Sequence, residues 1–326
     1  MKIHTISWAR NEADILEAFV RHHAAFSTVE IVLHRCRDNS TEILEALQKE
    51  GLPVIWRTDE RLAHDQARVL SDMMRKAFAD GADFTMPLDI DEFLTGDAVS
   101  VLKKHGDDTR AIRLAWKGYV PTDKDDISDH NVLTRIAHRR SVESPQWYKM
   151  LVPRTTTSAN GLCYGNHALL DASGQRLHHA DTTLSIAHFP VRSAKQMMRK
   201  IYGGWLSHCA NVGRERGSTF QWKAAFERFK QDTPLLPAEL TQWGLDYATE
   251  KQWKTLPESF TGGPLKLYDA QEKPSETEPT LVFDPVPCHF DVRYPVTETE
   301  PMNVLLETAE EIAQAYAELK KKADQP

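Results

Sequence analysis

The sequence predicts an α/β fold, a mostly parallel sheet flanked by helices with a mainly helical C-terminal appendage. Three features point there. Over the first ninety residues, short apolar runs alternate with longer segments of helical periodicity, strand then helix, three times over. A fourth apolar run then leads straight into Asp89-Ile90-Asp91-Glu92. Finally, 326 residues with 41% hydrophobic and 27% charged side chains can build a sizeable core, without the composition of a disordered or fibrous chain.

Each element has its own signal. Residues 1–8 alternate as a strand does. Asn11 stands as a helix N-cap with Asp14 three positions on, and Ile15, Phe19, His23 and Phe26 mark one face of the helix that follows. Residues 29–33 form a compact strand, and the polar turn Arg35-Cys36-Arg37-Asp38-Asn39-Ser40 leads to a helix over 41–50 that closes at Gly51. A third strand spans 53–57. The helix over 64–80 carries Ala67, Leu70, Met74 and Ala77 on one face and stops at Gly81. Residues 84–88 are the fourth strand, although Pro87 has no N–H to offer a central ladder. Beyond Ala98 the pattern loosens. Strands are expected at 111–116, 148–153, 162–170 and 184–188, a charged loop at 121–131, and helices at 193–210, 218–232 and 302–322. Residues 269–279 read as a polar surface loop. The last helix ends in Lys320-Lys321-Lys322, which complements its dipole.

Composition excludes several classes. Forty basic against 47 acidic residues leave a net charge of -7, which argues against a nucleic-acid binder relying on a bulk positive field. No segment reaches the ~18–20 apolar residues that span a bilayer, and the N-terminus lacks the apolar core of a secretory signal. The four cysteines, Cys36, Cys163, Cys209 and Cys288, form no CxxC pair and read as reduced, buried thiols. A cytoplasmic protein is expected. There is no GxGxxG loop after the first strand, and no P-loop, HExxH or GxSxG motif.

The segment Asp89-Ile90-Asp91-Glu92 holds most of the chemical information. Its three carboxylates repel one another unless something positive sits among them. Hard oxygen donors on a loop suit Mg²⁺ or Mn²⁺, particularly when a substrate diphosphate completes the ligand set. The bland reading is an acidic helix N-terminus. Ligands of open α/β sheets bind at the carboxyl ends of the strands, so this segment and the 35–41 turn can converge in space.

These residues resemble family 2-type glycosyltransferases, in particular a small bacterial subgroup. Ala9-Arg10-Asn11-Glu12, followed by a helix ending Arg21-His22-His23, looks like the subgroup's "RNE … H" opening. Cys36-Arg37-Asp38-Asn39-Ser40 resembles the family's S-x-D-G-T turn, and Phe84–Phe93 its DxDEF run. Tyr148-Lys149-Met150, Gly165-Asn166-His167 and His188-Phe189-Pro190-Val191-Arg192-Ser193 resemble the subgroup's "K … G-x-H … H-Y-P-x-R-S" pieces. The resemblance implies a GT-A fold, a nucleotide-sugar donor, Mn²⁺ or Mg²⁺, and inversion at the anomeric carbon. It makes Asp89 and Asp91 the DxD pair, Asp91 the more direct metal ligand, and His188 a further ligand. Glu12 would meet the nucleotide end of the donor, and Asp38 matches the turn aspartate. Departures are His34-Arg35 where the family often has two polar acids or amides, Cys36 for Ser, and Asn39 for Gly. They leave the donor base and sugar open.

An inverting transfer needs a base for the acceptor hydroxyl. The candidates are His167, Asp171 and Glu143, with His167 preferred because its turn matches the subgroup. Lys149 and Arg192 could hold the diphosphate, with Arg10 in a similar place. Trp205, Trp222, Trp243 and Trp253 could stack on acceptor sugars or serve the core. His22 and His23 are expected to pack on the sheet.

The expected organisation is a GT-A-like domain over 1–215, with a donor half (1–98) and an acceptor half (99–215), then a helical region over 216–326. The expected acceptor is a glycan or lipid-linked glycan of bacterial surface polysaccharide synthesis, reached in the cytoplasm or at the inner face of a membrane. Two other readings remain: a Mg²⁺-dependent phosphohydrolase or phosphotransferase, and a catalytically inactive GT-A-like binding subunit. The oligomeric state is not legible.

Overall fold

The computed structural model describes residues 1–143, 147–211, 220–231, 233–249 and 279–323. In chain order the first half runs β1 (Ile3–Ala9), α1 (Ala13–Ala24), β2 (Thr28–His34), α2 (Ser40–Lys49), β3 (Val54–Asp59), α3 (Gln66–Ala79), β4 (Phe84–Pro87), β5 (Glu92–Thr95) and α4 (Ala98–Lys104). Then come β6 (Ala111–Gly118), α5 (Val132–Arg135), β7 (His138–Arg140), β8 (Tyr148–Pro153), β9 (Gly161–Leu162), β10 (Leu169–Leu170), β11 (His179–Ala180) and β12 (Ser185–His188). The chain continues with α6 (Ala194–Cys209), α7 (Phe220–Phe229), α8 (Pro237–Asp246), β13 (Leu281–Phe283) and α9 (Pro301–Ala323).

One sheet organises the molecule, in the order β3-β2-β1-β4-β8-β6-β12-β5, with β11 beside β6. The expected parallel unit is present: β3, β2, β1 and β4 pair parallel. Beyond β4 the sheet is mixed, because β8 runs antiparallel to both β4 and β6. Pro87 is tolerated in β4 because the ladder to β8 ends at Thr85, and the Leu88 N–H takes up the bond to the Ile6 carbonyl at 3.1 Å.

Each face of the sheet buries its own core. Ile3, Ile31 and Leu33 meet α1 and α2 through Leu16, Phe19, Leu44 and Leu47. Ile6, Trp8 and Val32, at positions of opposite parity, meet α3 through Val69, Leu70, Met73 and Met74. His22 and His23 pack as expected, His22 Nε2 on the Leu94 carbonyl (2.7 Å) and the His23 ring stacked on Phe93.

Three local expectations are corrected. Asn11 does not cap α1; it sits at φ 51° and its Oδ1 accepts from the Arg37 N–H. The cap comes instead from across the sheet, where Asp38 Oδ2 accepts from the Ala13 N–H at 2.9 Å. The expected strand over 162–170 is broken into β9 and β10, because Gly165 and Asn166 take positive φ and make a tight 3₁₀ turn between them. Cys209 is exposed, whereas Cys36, Cys163 and Cys288 are partly buried; all four are free thiols. The helix α8 was not foreseen, although Pro237 at its first turn is a start signal.

The C-terminal elements run back along the first half. β13 pairs with β7, the Arg293 and Tyr294 N–H groups bind the Glu17 carboxylate on α1, and Asn39 bonds Pro295 and Thr297. α9 packs against α6, with Val304 and Leu305 beside Val191, Met197 and Ile201. Among the described residues no helix is long and apolar enough to cross a membrane. The expected 269–279 loop falls almost wholly outside the described residues, as do the ends of the expected helix over 218–232.

Candidate active site

Where β1 and β4 end side by side, a cavity of about 170 Å³ opens. The chain leaving β1 contributes Arg10 and Glu12, and the chain leaving β4 contributes Asp89 and Asp91. Trp116 of β6, His188 of β12, and Arg199 and Lys200 of α6 close the far side. Parallel strands pointing the same way explain the convergence: their carboxyl ends deliver residues 10, 12, 89 and 91 to one edge of the sheet.

The two aspartates face different cations. Asp89 Oδ2 accepts from Lys149 Nζ at 2.7 Å, and its Oδ1 from Gln66 Nε2 at 2.6 Å. Lys149 is fully buried on β8 and also reaches Glu92 (3.5 Å) and the Gly165 carbonyl (2.8 Å). Burial opposes the Asp89 charge, but Lys149 outweighs it and holds the carboxyl below its usual range. Glu92 has no such surplus of positive neighbours, so burial pushes its carboxyl well up. Asp91 accepts from Lys200 Nζ at 2.5 Å. Its other oxygen lies 3.7 Å from His188 Nε2. Burial keeps His188 neutral, its ring lies 4.1 Å from Trp116, and its Nδ1 has no partner among the described residues.

Glu12 lies 3.5 Å from Arg192 and 3.8 Å from Lys200, yet burial dominates and lifts its carboxyl to about 7. Arg10 reaches over the cavity to the Gly203 carbonyl (3.0 Å), Ser207 and Thr308 (3.1 Å). Burial, reinforced by Arg35, lowers Arg10 to about 10, and its Nε has no partner among the described residues. Beside it, Arg35 and Arg37 pair with Glu311 of α9.

The remaining candidates separate clearly. His167 lines the cavity, with Nδ1 on the Tyr148 carbonyl at 2.8 Å; burial, then Lys149, lower it to about 3. Asp171 does not reach the cavity, because it closes an exposed turn onto Ser173 and Gln175. Glu143 is held away by Arg140 and the Gly118 N–H. Asp38 is spent on capping, accepting from Ala13, from the Ser40 N–H and from the Ser40 hydroxyl. Arg192 is buried behind the cavity, bidentate on Asp14 at 2.7 and 3.0 Å and 3.8 Å from Asp91, so it positions acids rather than facing open space.

Among the described residues no three His, Cys, Asp or Glu side chains converge to hold a metal ion. The expected set of Asp89, Asp91 and His188 is therefore incomplete, because Lys149 and Gln66 engage both oxygens of Asp89. Asp91 and His188 do converge, a carboxylate oxygen and a neutral imidazole nitrogen with no hydrogen bond between them. They fit a divalent cation whose other donors come from a bound diphosphate.

No protein-family model matches the chain, and no curated protein matches it either. Solved structures do. That of S. aureus TarS covers 79% of this chain at 13% identity with a TM-score of 0.36, and this chain spans 50% of that one. The TarS 1–349 structure in complex with UDP covers 72% of each chain at 11% identity, TM-score 0.35. The mannosyltransferase PcManGT from Pyrobaculum calidifontis, in complex with GDP-Man and Mn²⁺, covers 78% of this chain and 82% of its own at 14% identity, TM-score 0.35.

Sequence reasoning missed Lys200, Gln66 and most of the aromatic wall. Of the four tryptophans proposed for sugar stacking, Trp222 lines the cavity and Trp243 packs on Phe229. Trp205 lies against His208, and Trp253 falls outside the described residues. Trp8, Trp116, Trp147 and Tyr247 line the cavity instead. A signal for α6 did exist: Gln196, Arg199, Gly203 and Ser207 recur at helical spacing, and all are buried. A polar stripe on a buried helix face marks a polar site beneath it.

Proposed function

We propose that the chain is a metal-dependent, inverting glycosyltransferase of GT-A type, moving a sugar from a nucleotide-sugar donor to a glycan or lipid-linked acceptor of bacterial surface polysaccharide. The observation that carries this reading is the meeting of Asp89 and Asp91, leaving β4, with Arg10 and Glu12, leaving β1, around one aromatic-walled cavity at the carboxyl edge of a parallel sheet. The motif order along the sequence supports it. Residues 1–98 would take the nucleotide, residues 99–215 the acceptor, and residues 216–326 would cover the site.

The chain's own residues have distinct tasks. Lys149 fixes Asp89, and Arg192 fixes the acids around Asp91. Arg10 and Lys200 offer positive charge to a leaving diphosphate. A divalent cation held by Asp91 and His188 would neutralise that diphosphate. Because a carbonyl can only accept, the His167 Nδ1–H donates to Tyr148 and leaves Nε2 with a lone pair that can orient the acceptor hydroxyl; held at about 3 by burial and Lys149, it is a weak base there. Trp116, Trp147 and Tyr247 provide faces for a sugar ring.

A phosphohydrolase of the aspartyl-phosphate kind is disfavoured because no aspartate follows β1; Asp14 lies inside α1 and is bound by Arg192. An inactive binding subunit draws some support from the altered 34–39 turn, whose Arg35 and Arg37 are occupied by α9. The deciding assay is release of nucleoside diphosphate from a panel of nucleotide sugars with Mn²⁺. Release by the native chain and its loss in Asp91→Asn support the transferase. Binding without turnover supports the inactive subunit, and cleavage of a simple phosphate ester supports the hydrolase.

A further inference from the structure

Two lysines serve the two aspartates, and they are held very differently. Lys149 is wholly buried, with Asp89, Glu92 and a backbone carbonyl around its ammonium. Lys200 comes from the middle of α6, keeps 17% of its side chain exposed, and among the described residues hydrogen-bonds Asp91 alone, with Glu12 at 3.8 Å. Its ammonium sits on the carboxylate that converges with His188. Arg192 also lies 3.8 Å from Asp91, but its guanidinium is fixed by two bonds to Asp14 and one to the Phe189 carbonyl. Of the cations around Asp91, Lys200 is the one on a flexible arm with room to leave.

We propose that Lys200 acts as a placeholder: in the free protein its ammonium occupies the cation position at Asp91, and it moves to the donor's diphosphate when donor and divalent cation arrive together. This rests on the transferase reading above. The physical reason is charge balance in a buried space. A dication entering alone must displace an ammonium whose remaining acidic neighbour, Glu12, is shared with Arg192, and under-compensated charge in a largely buried space is costly. A diphosphate arriving with the dication supplies that counter-charge. Cation and nucleotide therefore promote each other's binding, by the same factor in each direction, typically about 5–150-fold for such coupling. Without the lysine, Asp91 is an unpaired carboxylate open to the cation, and the coupling shrinks.

The test is Mn²⁺ binding by electron paramagnetic resonance, on the full chain with and without saturating UDP, GDP or CDP, with the free nucleotide's own Mn²⁺ binding subtracted. The variants are Lys200→Met, Lys200→Gln and Asp91→Asn with Lys200→Met, each with its melting temperature checked. The expected result is weak Mn²⁺ binding by the nucleotide-free native chain, and binding at least about tenfold tighter in both single variants, a gain within the usual coupling range. That gain disappears when Asp91 is also replaced. In the single variants the nucleotide still adds diphosphate donors but strengthens Mn²⁺ binding by a smaller factor than in the native chain. If folded Lys200→Met and Lys200→Gln bind Mn²⁺ no tighter than the native chain, the placeholder is overturned, while nucleotide binding by the native chain would leave the transferase reading standing. If the variants gain Mn²⁺ affinity but no nucleotide binds any form, Lys200 does occupy the cation position, but its move to a diphosphate is overturned together with the donor reading.

Discussion

Replacing Lys149 by Met tests whether the acidic segment is held by one buried charge. The ammonium lies 2.7 Å from Asp89 and 3.5 Å from Glu92, with no exposure to water. At an effective dielectric of about 20, unit charges at these separations interact by about 6 and about 5 kcal/mol. The second figure applies only in part, because burial favours the neutral form of Glu92. Desolvating the ammonium costs several kcal/mol in return, so the net loss on breaking the group is about 3–5 kcal/mol. Met nearly preserves the volume, so cavity formation adds little. The assay is urea unfolding at pH 7.5, followed by fluorescence of the buried Trp8, Trp116 and Trp147. Glu92→Gln alone should cost under about 1 kcal/mol, because burial already favours its neutral form, and Asp89→Asn combined with Lys149→Met should recover part of the loss, because the stranded carboxylate is gone. A Lys149→Met variant that loses less than about 1 kcal/mol would refute the reasoning.

Other expectations concern acid stability, the cap and the cavity wall. His34, His64 and His167 are held at about 3, 4 and 3 by burial, so between those values and the unfolded 6.5 the unfolded chain binds more protons. Stability is therefore present above pH 6.5 and falls as pH drops below it, by about 1.4 kcal/mol per histidine for each pH unit. Glu12, raised to about 7, acts oppositely and offsets one of the three. Urea midpoints at pH 7.5 and 5.5 should show a net loss at the lower pH, and an unchanged midpoint would contradict the neutral, buried histidines. Asp38→Ala should cost about 1–2 kcal/mol in the same assay through its lost cap, and should leave nucleotide affinity unchanged, since Asp38 does not line the cavity. In Gly203→Ala the new methyl would lie 2.9 Å from Arg10 Nε and push the guanidinium aside. A drop in kcat/KM on the order of tenfold to a hundredfold is expected at nearly native melting temperature. Full activity would place Arg10 outside the donor site.

Much of the fold is legible because its first half is locally encoded. Each strand up to Leu88 is an apolar run with its own stop, and each helix has a periodic face that matches one side of the sheet. Asp89 and Asp91 stand out for the same local reason, as acids directly after an apolar strand. What was not legible depends on long-range partners. The α1 cap comes from Asp38, 25 residues away, so local capping rules chose Asn11 instead. Asp171 and Glu143 carry the right chemistry, yet only tertiary placement reveals that a turn and an arginine consume them. Lys200 meets Asp91 across 109 residues, with no turn motif to announce it. β8 enters antiparallel between β4 and β6, a topology that strand periodicity alone does not encode.

The most direct test of the donor site is a thermal-shift screen of UDP, GDP, CDP and their sugar conjugates, with and without Mn²⁺, on the native chain and Asp91→Asn. A ligand that binds only the folded state at 100 times its Kd adds about 2.7 kcal/mol and raises the melting temperature. The expected result is stabilisation of the native chain by one nucleotide class, dependent on Mn²⁺ and absent in Asp91→Asn. Equal melting temperatures for the native chain under every nucleotide and metal condition would contradict a nucleotide-sugar site between β1 and β4.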